Sequence, residues 1–180
     1  MNISKDLPQF KEEKALLIVS GEKEGKLFIV NNGEIKEVDS IKMIPQYSER
    51  EGYFERKGKG KFFGSGSVYE EKKKETRRVF IKKIGESSEK AFQKEKPDEA
   101  YLFSSKHMMK NVKGSLPASV SKVLKETFKG NYNDQHPFKL LEKIKDKKEK
   151  EIKRKKVVPK RRAAQKILEK FKKAKDFIKR

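Results

Sequence analysis

The longest uninterrupted apolar runs in this 180-residue chain are only four or five residues, and Ala15-Leu16-Leu17-Ile18-Val19 is the first of them. Such a run has the length of a strand and falls far short of the ~20 residues that a membrane-spanning helix needs. Its continuity marks Ala15–Ser20 as a buried strand. Gly21-Glu22-Lys23-Glu24-Gly25 then supplies a turn, and Lys26-Leu27-Phe28-Ile29-Val30 a second strand. Asn31-Asn32-Gly33 offers the positive backbone angles of a tight hairpin. The third strand, Glu34–Ile44, alternates imperfectly through Ile35, Glu37, Val38, Ile41 and Ile44, which predicts a bulge. The three strands make an antiparallel meander.

Pro45 to Ser67 breaks this periodicity. Gly52, Gly58, Gly60, Gly64 and Gly66 are interspersed with Arg50, Arg56, Lys57, Lys59 and Lys61. A loop this long inside a compact domain is usually functional or disordered. A long helix is expected over Glu70–Lys94, with Val79/Phe80, Ile84, Ser88 and Ala91/Phe92 recurring on one face. Pro97-Asp98 ends it. Glu99–Phe103 reads as a fourth strand that must lie beside the meander. Two helices, Lys106–Val112 and Ala118–Thr127, flank the Gly114-Ser115-Leu116-Pro117 turn, and Phe128–Tyr132 reads as a short fifth strand. Asp134-Gln135-His136-Pro137 opens a further helix, with Pro near the first turn where its missing N–H costs nothing. Leu140, Leu141 and Ile144 would pack this helix on the core. The expected fold is an α/β domain around a mixed five-strand sheet, spanning residues 15–144. Residues 1–14 form an N-terminal extension and residues 145–180 a basic helical tail.

Charge separates the tail from the rest. The chain holds 48 Lys+Arg against 27 Asp+Glu, a formal charge of +21. Residues 141–180 carry 19 basic and 6 acidic side chains, so less than a quarter of the chain holds most of the surplus. Excess charge of one sign repels itself unless a polyanion meets it. The tail reads as two helical pieces, one over Glu142–Lys156 and one over Lys160–Arg180, interrupted at Val157-Val158-Pro159. The second piece is amphipathic, with Ala164, Ile167/Leu168, Phe171, Ala174 and Phe177/Ile178 at helical spacing. RNA is the favoured partner. A protein groove for residues 160–180 is the alternative, and an anionic membrane is disfavoured because the apolar stripe is short and lacks Trp. The absence of Cys removes disulfides and thiolate chemistry. Met1–Lys14 lacks a signal peptide's apolar region, so a soluble, cytoplasmic protein is expected.

Two segments carry the expected contacts. In the first, Arg56, Lys57, Lys59 and Lys61 alternate with glycines, so ammonium groups and backbone amides can both approach phosphates. Phe62 and Phe63 follow, and stacking on unpaired bases is worth ~1–3 kcal/mol per base. The plain alternative is a loop whose two Phe residues tuck into the core. The second segment comprises Lys153, Arg154, Lys155 and Lys156 with Lys160, Arg161 and Arg162. Phosphate contacts of this kind position a protein without reading sequence. His107 and His136 are the only histidines, and neither has a second ligand at metal spacing. A helix-terminal and a capping role suit them better. No nucleophile motif surrounds Ser65, Ser67, Ser104 or Ser105. No enzyme, metal or cofactor is expected.

The order of these elements resembles the middle domain of archaeal and eukaryotic class-I release factors. Pelota-type ribosome-rescue factors and bacterial relatives, including the hibernation factor Balon, share that layout. The local resemblance is best from Gly64 to Phe92. Gly64-Ser65-Gly66-Ser67 stands where release factors have their Gly-Gly-Gln segment. Glu70–Lys74 and Arg78–Ile84 resemble the helix that follows it, and Ala100–Phe103 the next strand. No Gln occupies Gly64–Ser67, so the resemblance does not carry peptidyl-tRNA hydrolysis with it. It implies a ribosome-facing domain that meets ribosomal RNA or tRNA without a catalytic tip. A hibernation or rescue-related factor is its concrete form. The alternative is an adaptor whose basic amphipathic C-terminal helix binds a protein.

Overall fold

A computed structural model describes residues 1–44, 66–154 and 165. The chain divides into two compact units, Met1–Leu140 and Leu141–Arg180. The first is a mixed five-strand sheet in the order β3-β2-β1-β4-β5. Its strands are β1 (Ala15–Ser20), β2 (Glu24–Asn31), β3 (Glu34–Lys42), β4 (Glu99–Ser104) and β5 (Leu124–Lys129). The helices are α1 (Gly66–Glu95), α2 (Met109–Ser115) and α3 (Ala118–Val123), and residues 137–154 are also helical.

All six residues of β1 are buried, which accounts for its unbroken apolar sequence. It is the central strand, antiparallel to β2 and parallel to β4. Side chains alternate between the faces of a sheet, so Leu16 and Ile18 join Leu27, Ile29, Ala100 and Leu102 beneath the helices. There they meet Phe80, Ile81 and Ile84 of α1, Met109 and Val112 of α2, and Val120 of α3. Leu17, paired with Phe28 and Tyr101, points to the other face. Residues 1–14 and 131–140 contribute to that face: Phe10 meets Tyr101 edge-on at 6.3 Å, and Tyr132 meets Phe103 at 5.2 Å. Phe103 also stacks on Phe128 of β5, with ring centroids 4.6 Å apart. Two covered faces make β1 apolar throughout.

The hairpin forms at Asn32 (φ 49°) and Gly33 (φ 75°), the paired positive angles of a type I′ turn. Gln9 O accepts from Gly33 N, and Gly33 O accepts from Ile3 N, which ties the N-terminal segment to the hairpin. The expected irregularity in β3 is present. Leu27 pairs with Asp39 and Phe28 with Glu37, leaving Val38 as the extra residue of a bulge. At the end of α1, Lys96 takes a left-handed conformation (φ 46°) and its N–H closes on Phe92 O before Pro97 stops the helix.

Several boundaries differ from the sequence-based expectation. α1 begins at Gly66, ahead of Glu70, and Val79 is exposed while Ile81 enters the core. The helix expected over Ala118–Thr127 ends at Val123. The fifth strand, expected over Phe128–Tyr132, occupies Leu124–Lys129 instead. Leu124 already has extended angles (φ −69°, ψ 105°). Pairing of Tyr101 with Glu126 and of Leu102 with Thr127 supplies the hydrogen-bonded partners that helical propensity alone does not anticipate.

Candidate nucleic-acid interface

α1 is longer than the sheet needs. Residues 71–75 are exposed without interruption, and five consecutive residues cover more than one 3.6-residue turn. That stretch is therefore open around its whole circumference. Lys72, Lys73 and Lys74 lie on it, about 100° apart in succession around the axis. Thr76 is the first buried side chain beyond it, its hydroxyl donating to Lys72 O at 2.8 Å. Lys73 and Lys74 have no carboxylate partner among the described residues.

Further along α1 the charges are balanced within the helix. Arg78 Nη1 lies 3.7 Å from Glu75 Oε2, and Lys82 Nζ lies 3.8 Å from Glu86 Oε1. Such exposed helical pairs contribute at most about half a kcal/mol each. They also leave less net positive charge to attract an anion.

The α2–α3 surface is different. No Asp or Glu occurs from Ala100 to Lys125, whereas Lys106, Lys110, Lys113, Lys122 and Lys125 do. Lys106, Lys110, Lys113 and Lys122 are exposed, and none has an ion-pair partner among the described residues. Lys125 pairs with the mostly buried Glu99 at 3.7 Å. Sequence reasoning passed over these lysines because they are dispersed among Met, Val and Ser. The signal lay in the missing carboxylates.

Of the residues expected to touch RNA, Lys153 and Arg154 are described, and both are exposed on the 137–154 helix in the second unit. Arg56, Lys57, Lys59, Lys61, Phe62, Phe63, Lys155, Lys156, Lys160, Arg161 and Arg162 lie outside the described residues. Gly66 and Ser67, expected in the loop, form the first turn of α1. His107 Nε2 stands 2.8 Å from Glu22 Oε1 at an exposed site. The His136 ring accepts from Phe138 N at 3.3 Å, a cap on the helix that Pro137 opens. Among the described residues no cluster of three His, Cys, Asp or Glu side chains could hold a metal ion, and no helix is long and apolar enough to cross a membrane.

No family model matches the sequence, and no curated protein matches it. Among solved structures, the chain is similar to an archaeal translation termination factor at 9% identity and a TM-score of 0.46, over 78% of this chain and 40% of that one. A second archaeal protein matches at 9% identity and a TM-score of 0.42, over 78% and 39%. The PPX-GPPA enzyme of Aquifex aeolicus matches at 12% identity and a TM-score of 0.33, over 65% and 36%. The chain thus spans well under half the length of each. Likeness at this level carries no chemistry from those proteins to this one.

Proposed function

We propose that this chain is a non-enzymatic, cytoplasmic RNA-binding protein that works on the ribosome in a hibernation or rescue-related role. The observation that carries this reading is the exposed Lys72-Lys73-Lys74 run near the start of α1. α1 follows directly on the Arg56–Phe63 segment, whose alternating Lys and Gly suit phosphate contact. Three lysines spread over about 200° of an exposed helix, between Glu71 and Glu75, suit a polyanion that reaches more than one side of it, as folded RNA does. The strongly basic residues after 145 add affinity through counterion release. The local resemblance of Gly64–Phe92 to a release-factor segment supports ribosomal RNA as the partner, with tRNA a second candidate ligand there. Hydrolysis is excluded from the proposal because the segment lacks a Gln.

The test is sucrose-gradient sedimentation of the tagged chain from growing and starved cells, with nuclease-treated and high-salt controls. Co-migration with ribosomes that persists after nuclease and is lost in high salt is the expected result. Enrichment on starvation would favour hibernation over a constitutive role. A chain that stays at the top of the gradient in every condition would refute ribosome association. Release of labelled peptide from a ribosome complex on adding the chain would refute the non-enzymatic part.

A further inference from the structure

Lys106, Lys110 and Lys113 stand at i, i+4 and i+7. The chain is already turning helically before α2, since Met109 N donates to Ser105 O and Val112 N to Met108 O. Residues at that spacing share a face. Met109 and Val112 are buried on the core side, so the three lysines form a row on the exposed side. Lys122 of α3 is exposed as well, and the sequence from Ala100 to Lys125 holds no carboxylate, although Glu22 meets His107 beside Lys106.

We propose that the exposed face of α2 and α3 is a second phosphate-contacting surface, laying Lys106, Lys110, Lys113 and Lys122 along an RNA strand. This inference rests on the RNA-binding reading above and adds contact residues other than those of the α1 end and the tail. Four unpaired cations with no acid in the surrounding sequence repel one another, and a polyanion relieves that repulsion. The surface also lacks the apolar anchors that protein interfaces use. The exposed large hydrophobic side chains among the described residues are Met1, Ile44, Val79 and Ile152, none of them on α2 or α3. The row is flanked instead by Asn111, Gly114 and Ser121. Apart from its chain neighbours and its own helix backbone, no atom stands within 4 Å of where a Cβ on Gly114 would be, so its outer side is open to close approach.

The experiment uses the full chain with Lys106→Gln, Lys110→Gln, Lys113→Gln and Lys122→Gln combined. A control removes the same charge through Lys5→Gln, Lys11→Gln, Lys36→Gln and Lys94→Gln, all at exposed positions. Circular dichroism verifies both folds, and Lys→Arg at the four α2–α3 positions serves as the rescue. Affinity for a fluorescent ribosomal RNA fragment is read by anisotropy across a salt series. At ~0.7 per phosphate contact on a single strand, the plot of log affinity against log salt should become shallower by about 3 for the α2–α3 variant. The control should change it far less, and the Arg variant should restore it. An equal change in variant and control, or no change in either, overturns the inference while leaving RNA binding intact. A wild-type chain that binds no RNA overturns the underlying reading as well. Capture of polyglutamate through these four lysines, with the RNA slope unaltered, assigns the surface to an acidic protein and overturns RNA as its occupant.

Discussion

Tyr101 donates its phenolic hydrogen to Glu99 Oε2 at 2.6 Å, two residues back along the same strand, and both side chains are buried. Burial first, and then the hydrogen bond and the negative charge of Glu99, hold the phenol well above its ordinary value of 10.0. A raised acid binds its proton more tightly in the folded state. Its stabilising contribution is therefore complete below about pH 10 and is lost as pH climbs from there toward the folded value. Spectrophotometric titration of the five tyrosines should show at least one that does not ionise until the chain unfolds in alkali. If all five titrate together near pH 10 with the fold intact, Tyr101 is not held as described.

Gly85 lies in the middle of α1, where Ala would ordinarily be better by about 1 kcal/mol. A Cβ there would come within 2.4 Å of Ser115 O at the end of α2. Ser115 Oγ also reaches back to Ile81 O, so the two helices meet backbone to backbone. Neither main chain can step aside cheaply, and overpacking of this sort costs roughly 1–3 kcal/mol. Gly85→Ala should lower the midpoint of urea denaturation despite its better propensity. A raised midpoint would show that α1 and α2 are not in close contact.

Ser104 closes β4, fully buried, and its hydroxyl has no hydrogen-bond partner among the described residues. An unsatisfied buried hydroxyl costs roughly 1–3 kcal/mol, so removing it should be neutral or favourable. Ser104→Ala is expected to hold or raise the denaturation midpoint, against the usual trend for core truncations. A clear loss of stability would mean that the oxygen has a partner. Ser88 is the comparison: its Oγ donates to Ile84 O at 2.7 Å, so Ser88→Ala leaves no orphaned donor and should have only a small effect.

The basic run after 145 makes a separate demand on binding. Replacing Lys153, Arg154, Lys155, Lys156, Lys160, Arg161 and Arg162 together by Gln should flatten the salt dependence of RNA affinity by up to about 5 on a single strand, if each meets a phosphate. The competing adaptor role predicts a different outcome. Phe171→Asp would then abolish binding to a protein partner, with little dependence on salt.

The sequence revealed the meander readily because its signals are local. A run of apolar residues, an Asn-Gly turn and the imperfect alternation around Val38 each lie within a few residues. The boundary between α3 and β5 was harder to place. Leu124 to Thr127 are compatible with either state, and only pairing with β4, 24 to 25 residues earlier in the chain, selects the strand. Part of the candidate site was hidden for a related reason. Basic clusters are conspicuous as runs, as at Lys153–Lys156. The Lys106–Lys110–Lys113 row becomes visible only once the helical turn brings the three together and burial shows which side faces outward.

The position of β1 also bears on how the domain assembles. On one side it pairs with β2, its neighbour across a short turn. On the other its entry is fixed by Lys14 N donating to Asp98 Oδ2, a link spanning 84 residues of chain. Closing the longer loop costs more entropy before any contact rewards it. The expected order is hairpins first, with β4 and β5 docking onto a preformed edge of β1. Truncations such as Ile29→Val in the meander should then slow refolding, and Leu102→Ala in β4 should mainly hasten unfolding. The reverse pattern would place the long-range pairing in the folding nucleus. With the expected order, β1 is the template on which the later half of the domain condenses.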